Sequence, residues 1–238
     1  VAATCQGRAI FLDYDGTLTP IMSKPEQAVL SQEMRETLRR LVGRYPVTIV
    51  SGRDANVVEH LVGLNGLGFV GSHGLDIQGP PGTGIQKEIG VEFKAELDLA
   101  EAELHRRIGF LSGVIIERKR FSISTHVRLV AVEQLAQVEA EVNIVCSSHR
   151  GLRREGGKML FELRPDVDWD KGSAVSWILN EMHLRTSAAL FVGDDLTDET
   201  VFHLMGEKGL GIVVAEEARL TEACLRLADP IEVRVLLE

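Results

Sequence analysis

Apolar and polar positions along the chain fall into two alternating kinds of segment. One kind is short and almost wholly apolar: AIFLDY at residues 9–14, PVTIVSG at 46–52, GFVGSHG at 68–74, AALFVGDD at 188–195 and GLGIVVA at 209–215. Each is too brief for a helix and most close on Gly, Ser or Asp, which predicts strands buried on both faces. Between them run longer stretches whose apolar residues recur every three or four positions. SQEMRETLRRLVGR (31–44) opens on Ser31 as a helix cap and sets Met34, Leu38, Leu41 and Val42 on one face. DANVVEHLVGL (54–64), SAVSWILNEM (173–182) and DETVFHLMG (198–206) read in the same way.

Strand and helix alternating in this manner predict a parallel sheet with helices on both faces. The alternation breaks at QGPPGTG (78–84), where five of seven residues are Gly or Pro, the composition of a boundary loop. Beyond it the pattern predicts a helix over 92–108, a hairpin within GVIIERKRFSISTHVRL (113–129), a helix over 131–142, and strands NIVCSS (143–148) and KMLFEL (158–163). The reading is therefore an α/β protein with a Rossmann-like parallel core over 1–77 and 163–238, interrupted by a smaller α+β module over 78–162.

Composition narrows the function. With 238 residues, 45% hydrophobic, 26% charged and a net charge of -9, the chain has the make-up of a soluble globular protein that attracts neither nucleic acid nor an anionic membrane. Cys5, Cys146 and Cys224 are widely spaced and form no metal-binding or disulfide pattern. No apolar run is long enough to span a bilayer and the start carries no signal-like core, so a cytoplasmic protein is expected.

Candidate chemistry sits where the apolar runs end. FLDYDGTLTPI (11–21) places Asp13 and Asp15 two residues apart at the close of a buried strand, and ALFVGDDLTDE (189–199) repeats the arrangement with Asp194, Asp195 and Asp198. Ligands of open α/β sheets bind outside the carboxyl ends of the strands. Neighbouring strands would bring Asp13, Asp15 and Asp194 to one such edge, where an uncompensated cluster of carboxylates would take up protons. A hard dication relieves that repulsion, and Mg²⁺ favours one or two carboxylates, water and a phosphate. One aspartate then serves as nucleophile and the other exchanges protons with the leaving oxygen and with water. Donors for a phosphoryl group are at hand in Thr17, Ser51, the N–H of Gly52, and Lys171. Taken singly, each motif has a plainer use: Asp15-Gly16 is also a turn signal, and a lone lysine is usually solvated.

In order, DYDGT, VSGR, WDKG and GDDLTDE resemble the four motifs of the haloacid dehalogenase superfamily of phosphatases, with the module between the second and third resembling its cap domain. LDYDGTLTPI, GSHGLDI, GKMLFELRPDVDWDKG and VGDDLTDETVF resemble, more narrowly, the trehalose-6-phosphate phosphatase family. The resemblance runs from about Ile10 to Val214 and is weakest over 83–112. It implies Asp13 as nucleophile and Asp15 as general acid and base, with Ser51 and Lys171 on the phosphate. Mg²⁺ would sit on the Asp13 side chain, the Asp15 carbonyl and Asp194, with Asp195 and Asp198 supporting the metal waters and the Lys171 ammonium.

Substrate contacts are expected from Thr17, Gly52, Arg53, His73 and Gly74 in the core and from Glu117, Lys119, His126, Arg128, Lys158 and Glu162 in the cap. Leu160 departs from relatives that carry a polar residue there. Glu117, Lys119 and Arg128 could equally form cross-strand ion pairs on a solvated face, and His126 could be structural. The expected reaction is Mg²⁺-dependent hydrolysis of trehalose 6-phosphate through an aspartyl-phosphate. Hydrolysis of a sucrose- or glycosyl-glycerate-type phosphate, or sensing without catalysis, are the alternatives. The expected partner is a small sugar phosphate, the expected state a monomer, with functional coupling to a trehalose-phosphate synthase.

Overall fold

The computed structural model describes residues 7–22, 27–157 and 159–238; Cys5, Pro25 and Lys158 lie outside them. The chain divides into two compact units, one formed by the chain up to Ile89 and from Trp169 onward, the other by Gly90–Asp168. The first unit opens with β1 (Ala9–Asp13), α1 (Gln32–Val42), β2 (Val47–Val50), α2 (Ala55–Val62), β3 (Gly68–Gly71), β4 (Asp76–Gln78) and β5 (Gln86–Glu88). The second holds α3 (Lys94–Ile108), β6 (Ile115–Arg118), β7 (Ile123–His126), α4 (Val132–Ser148), β8 (Leu152–Gly157) and β9 (Leu160–Pro165). The first then resumes with α5 (Lys171–Glu181), β10 (Ala189–Gly193), α6 (Glu199–Met205), β11 (Leu210–Val214), β12 (Leu225–Leu227) and α7 (Pro230–Leu237).

The larger sheet has the order β12-β11-β10-β1-β2-β3-β4-β5. Its pairs from β12 to β3 are parallel, and β4 and β5 extend it in antiparallel fashion. Every residue of β1 is buried, because its side chains alternate into two separate cores. Ile10 and Leu12 join Val47, Ile49, Met34, Leu38 and Val58 on one face. Ala9 and Phe11 join Val50, Val175, Ile178, Phe191 and Phe202 on the other. Asp13 continues the second series, and so emerges on the face where α5 and α6 pack.

In the smaller unit β6-β7-β9-β8 form an antiparallel sheet. One face is apolar: Ile123, Phe161 and Leu163 meet a helical stripe of Leu97, Ala100, Leu104 and Ile108 from α3, and Val138, Val142 and Val145 from α4. Among the described residues no helix is long and apolar enough to cross a membrane.

Two expectations from the sequence change. The Gly/Pro-rich 78–84 is the turn joining β4 to β5 within the larger sheet, closed by Gly79 N–H on Ile85 O at 2.8 Å, and the units part at Gly90 and Asp168, not at 78 and 162. Gly and Pro mark a turn, and a hairpin turn has the composition of a linker. Residues 143–148 are the last turns of α4, not a strand. The β-branched Ile144 and Val145 suggest extension locally, but Val145 completes the buried stripe of Val138 and Val142 at helical spacing. The strand role falls to the charged LRREGG of β8.

Candidate active site

β1, β2 and β10 end together. Asp13 lies opposite Val50 in the β1–β2 register, and Leu12 opposite Val192 in the β1–β10 register, so Ser51 and Asp194 follow at the same edge. The DYDGT loop turns sharply: Tyr14 O accepts the N–H groups of Leu18 and Thr19 at 3.0 and 3.1 Å, and Gly16 takes a φ of +80°. Glycine is needed here twice over. Its backbone lies in the left-handed region, and a Cβ at this position would overlap the Asp194 carboxylate. The missing side chain is thus the space into which Asp194 reaches across from β10.

Opposite lies a buried ion triad. Lys171, the first residue of α5, donates to Asp13 Oδ1 at 2.8 Å and to Asp198 Oδ1 at 2.7 Å. The three residues are only 3%, 4% and 0% exposed. Burial alone would push the Lys171 ammonium down in pKa, but Asp13 and Asp198 outweigh it and hold the ammonium charged. Asp198 turns its other oxygen to the N–H groups of Asp194 and Asp195, at 2.9 and 3.0 Å. This carboxylate therefore ties the start of α5 to the loop after β10. Gly172 permits the approach, since a Cβ there would come 2.5 Å from Thr200 O.

Carboxylates outnumber the cations at this edge. Burial holds the Asp13 carboxyl well above the usual range against the pull of Lys171, and burial with Asp198 and Asp195 raises Asp194 to about 7. One oxygen each from Asp13, Asp194 and Asp198 lie within 4.8 Å of one another. Asp198 is already engaged by Lys171 and two amides, which leaves Asp13 and Asp194 as the carboxylates suited to a shared cation. The donor set and the cradle at Gly16 fit a hard dication such as Mg²⁺.

The raised Asp194 carries a pH consequence. A carboxyl whose folded pKa exceeds its unfolded one holds extra protons in the native state, so stability falls as pH rises from about 4 to about 7. A dication bound there would replace the proton. The rise in melting temperature on adding Mg²⁺ is therefore expected to be larger at pH 8 than at pH 5.5, as read by differential scanning calorimetry. Equal rises at both values would show that Asp194 does not couple to the cation.

Asp15 is held by a bidentate fork: Arg53 Nε donates to Oδ2 at 2.7 Å and Arg53 Nη2 to Oδ1 at 2.6 Å. Arg53 thus meets a carboxylate of the site, where the sequence reading gives it to the substrate. Ser51 is buried, and its Oγ accepts the Arg53 N–H at 3.2 Å while its carbonyl accepts that of His73 at 3.1 Å. Gly52 makes room for the His73 ring, whose Cε1 would stand 2.5 Å from a Cβ. Gly74 has a structural use: a Cβ there would meet Asp170 O at 2.5 Å, and Gly74 O accepts Trp169 Nε1–H at 2.8 Å. Thr17 is fully buried, and its hydroxyl has no partner among the described residues. Asp195 is exposed, and its Oδ1 accepts the Leu196 N–H at 2.7 Å, capping the next turn.

In the smaller unit, Glu117, Ser124 and Glu162 stand in register across β6, β7 and β9 on the polar face of the sheet. Glu162 Oε1 collects Lys119 Nζ at 3.2 Å, Ser122 Oγ at 2.8 Å and Ser124 Oγ at 3.1 Å. Glu117 pairs with His126 at 2.8 Å. Leu160 lies opposite His126 on that face, while Arg128 follows the end of β7, outside the paired register. Arg219 escapes the sequence reading altogether, yet it donates to the carbonyls of Asp194 and Asp195 at 3.1 and 3.2 Å. No periodicity or local motif signals it.

A parallel sheet with an aspartate-rich edge at β1 and β10, a lysine entering from α5 and an interrupting α+β unit make up a haloacid dehalogenase-like fold. One solved structure, of a haloacid dehalogenase-like hydrolase from Bacteroides thetaiotaomicron, shares this fold with a TM-score of 0.69 and 18% identity, over 97% of this chain and 98% of that one. Within that fold the family is specific: the trehalose-phosphatase family model matches residues 11–230, and the chain belongs to that family. A trehalose-phosphate phosphatase of Mycobacterium tuberculosis is 38% identical over 231 residues, covering 94% of this chain and 59% of the relative. The chain thus spans about three fifths of the length of that curated relative. The crystal structure of a trehalose-6-phosphate phosphatase related protein matches with a TM-score of 0.78 at 27% identity, covering 96% of this chain and 95% of that one.

Proposed function

We propose that this chain hydrolyses trehalose 6-phosphate to trehalose and phosphate, through a phosphate ester formed transiently on Asp13. The observation that carries the reading is the meeting of Asp13 and Asp194 at the Gly16 cradle, with Lys171 fixed on one Asp13 oxygen. Asp13, the Asp15 carbonyl and Asp194 would hold Mg²⁺, which when bound supplies positive charge against the phosphoryl oxygens. Lys171 keeps Asp13 oriented and favours its ionised form against the opposing effect of burial. Asp13 attacks phosphorus as the ester bond to the sugar breaks, and Asp15 gives its proton to the departing sugar oxygen. Asp15 then takes a proton from the water that releases phosphate from Asp13. For Asp15 to do this, the Arg53 fork must loosen its hold on the carboxylate. Thr17, Ser51 and the Gly52 N–H supply donors to the phosphoryl group.

The smaller unit would recognise the sugar. Glu162, Lys119, Ser122 and Ser124 form a connected polar cluster on a sheet face whose reverse is apolar. Such a cluster suits a polyhydroxylated ligand, and it rejects analogues lacking a hydroxyl because its own groups would then stay unpaired. The family match supports trehalose 6-phosphate over other sugar phosphates.

Phosphate release should require Mg²⁺, vanish with a chelator, and proceed with a kcat/KM at least ~100-fold higher for trehalose 6-phosphate than for sucrose 6-phosphate or a glucosyl-phosphoglycerate. Faster turnover of a competitor would reassign the substrate. Tight binding measured by calorimetry without phosphate release would leave a sensor in place of an enzyme.

A further inference from the structure

The loop that carries Asp194 is gripped from two sides. On its amide side, Asp198 Oδ2 accepts the N–H groups of Asp194 and Asp195. On its carbonyl side stands Arg219, from the segment between β11 and β12, whose Nη2 donates to both carbonyls at 3.1 and 3.2 Å. Arg219 is itself fixed. Its Nη1 lies 2.9 Å from Glu199 Oε1 at the start of α6, and each of the two side chains is only 25% exposed. Glu199 is anchored in turn: its Oε2 accepts Glu222 N–H at 2.9 Å and Thr221 Oγ–H at 3.1 Å. The guanidinium thus adds a link between the end of β10, the start of α6 and the β11–β12 connection, two of which Glu199 already joins through Thr221 and Glu222.

This arrangement decides what residue 194 can offer. With its carbonyl turned to Arg219, Asp194 presents the cradle at Gly16 with its carboxylate and not its main-chain oxygen. The two peptide units on either side of Asp195 are pinned at both ends, so the direction of the Asp194 side chain is set before any cation arrives. Groups that orient a metal ligand commonly matter for affinity by ~10–100-fold. We propose that Arg219 is a positioning residue for the divalent-cation centre: it holds the Asp194–Asp195 carbonyls so that the Asp194 carboxylate is aimed at the site shared with Asp13. The proposal rests on the reading that Asp13 and Asp194 bind a dication.

The test is Mn²⁺ binding to the intact chain, followed by the electron paramagnetic resonance signal of free Mn²⁺, which needs no substrate and no turnover. Arg219→Met keeps the alkyl stem and removes the donors; its Kd for Mn²⁺ should rise ~10-fold or more over wild type. Arg219→Lys keeps the charge but loses the fork, and should remain weakened several-fold. Glu199→Gln should weaken binding in the same direction, and the double variant with Arg219→Met should be no weaker than Arg219→Met alone, because both changes release one device.

Mn²⁺ affinity within twofold of wild type in Arg219→Met would overturn the proposal, as would full affinity in Arg219→Lys, since charge alone would then suffice. If Arg219→Met does not fold, judged by its cation-free melting curve, the Lys and Glu199→Gln variants decide the question. Wild-type protein that binds no Mn²⁺ would remove the cation reading itself, an outcome distinct from equal binding by wild type and variants.

Discussion

Replacing Asp13 by Asn should abolish phosphate release while leaving the fold in place. An amide of the same shape cannot attack phosphorus, and loss of a covalent nucleophile removes nearly all of the acceleration that depends on it, ~10⁴-fold or more in kcat. The structure separates this loss from a folding defect. Asp13 is held well above the usual carboxylate range by its own burial, so ionising it weighs against the native state. Lys171 keeps Asp198 at 2.7 Å when the Asp13 charge is removed. The cation-free melting temperature of Asp13→Asn should therefore lie within a few degrees of wild type or above it. Kinetics at saturating Mg²⁺ together with calorimetry check both halves. More than one hundredth of wild-type kcat in a deamidation-free preparation would exclude Asp13 as the attacking group.

Asp13 was within reach of sequence reasoning because its signal is local. A run of buried-strand residues that stops on a carboxylate is an energetic anomaly, and two such runs far apart in the chain ask to be brought together. The same holds for Ser51, Asp194 and Asp198, each one to five residues past the end of an apolar strand. Lys171 was legible for a different reason, as part of WDKG, which matters only in company with the other motifs. What stayed hidden depends on contacts with no local period. Arg219 sits in EEARLTEAC, a stretch that reads as an ordinary polar loop, and only the packing of that loop against the start of α6 gives it a purpose. The bidentate grip of Arg53 on Asp15 spans 38 positions and could not be distinguished from a substrate contact by residue type. The end of α4 and the charged strand β8 misled for the converse reason. Their composition speaks for the wrong element, and the buried stripe of one helix and the sheet partners of one strand overrule it.

The largest effect on stability is expected at Lys171. In Lys171→Met the methylene stem is conserved in volume, yet Asp13 and Asp198 are left facing each other without the cation that neutralises them, in a place where all three residues are at most 4% exposed. Breaking a buried ion pair from one side costs ~3–5 kcal/mol. For a chain of this size that corresponds to a fall of ~10 °C in melting temperature. Asp198 keeps two amide donors, so Asp13 is the carboxylate more exposed to the loss. The dependence on pH tells this mechanism from simple loss of packing. Without the ammonium, the carboxyl of Asp13 is raised further above its unfolded value, the native state binds its proton more tightly, and stability drains away as pH rises through that window. The penalty of Lys171→Met should thus be smaller at pH 5 than at pH 8, and Mg²⁺ should recover part of it at pH 8 by taking the place of the missing charge. Activity should fall as well, since Asp13, the proposed nucleophile, loses both its orientation and the group that favours its ionised form. A stability penalty identical at pH 5 and pH 8, untouched by Mg²⁺, would mean that the lysine fills space at the start of α5 and has no electrostatic role.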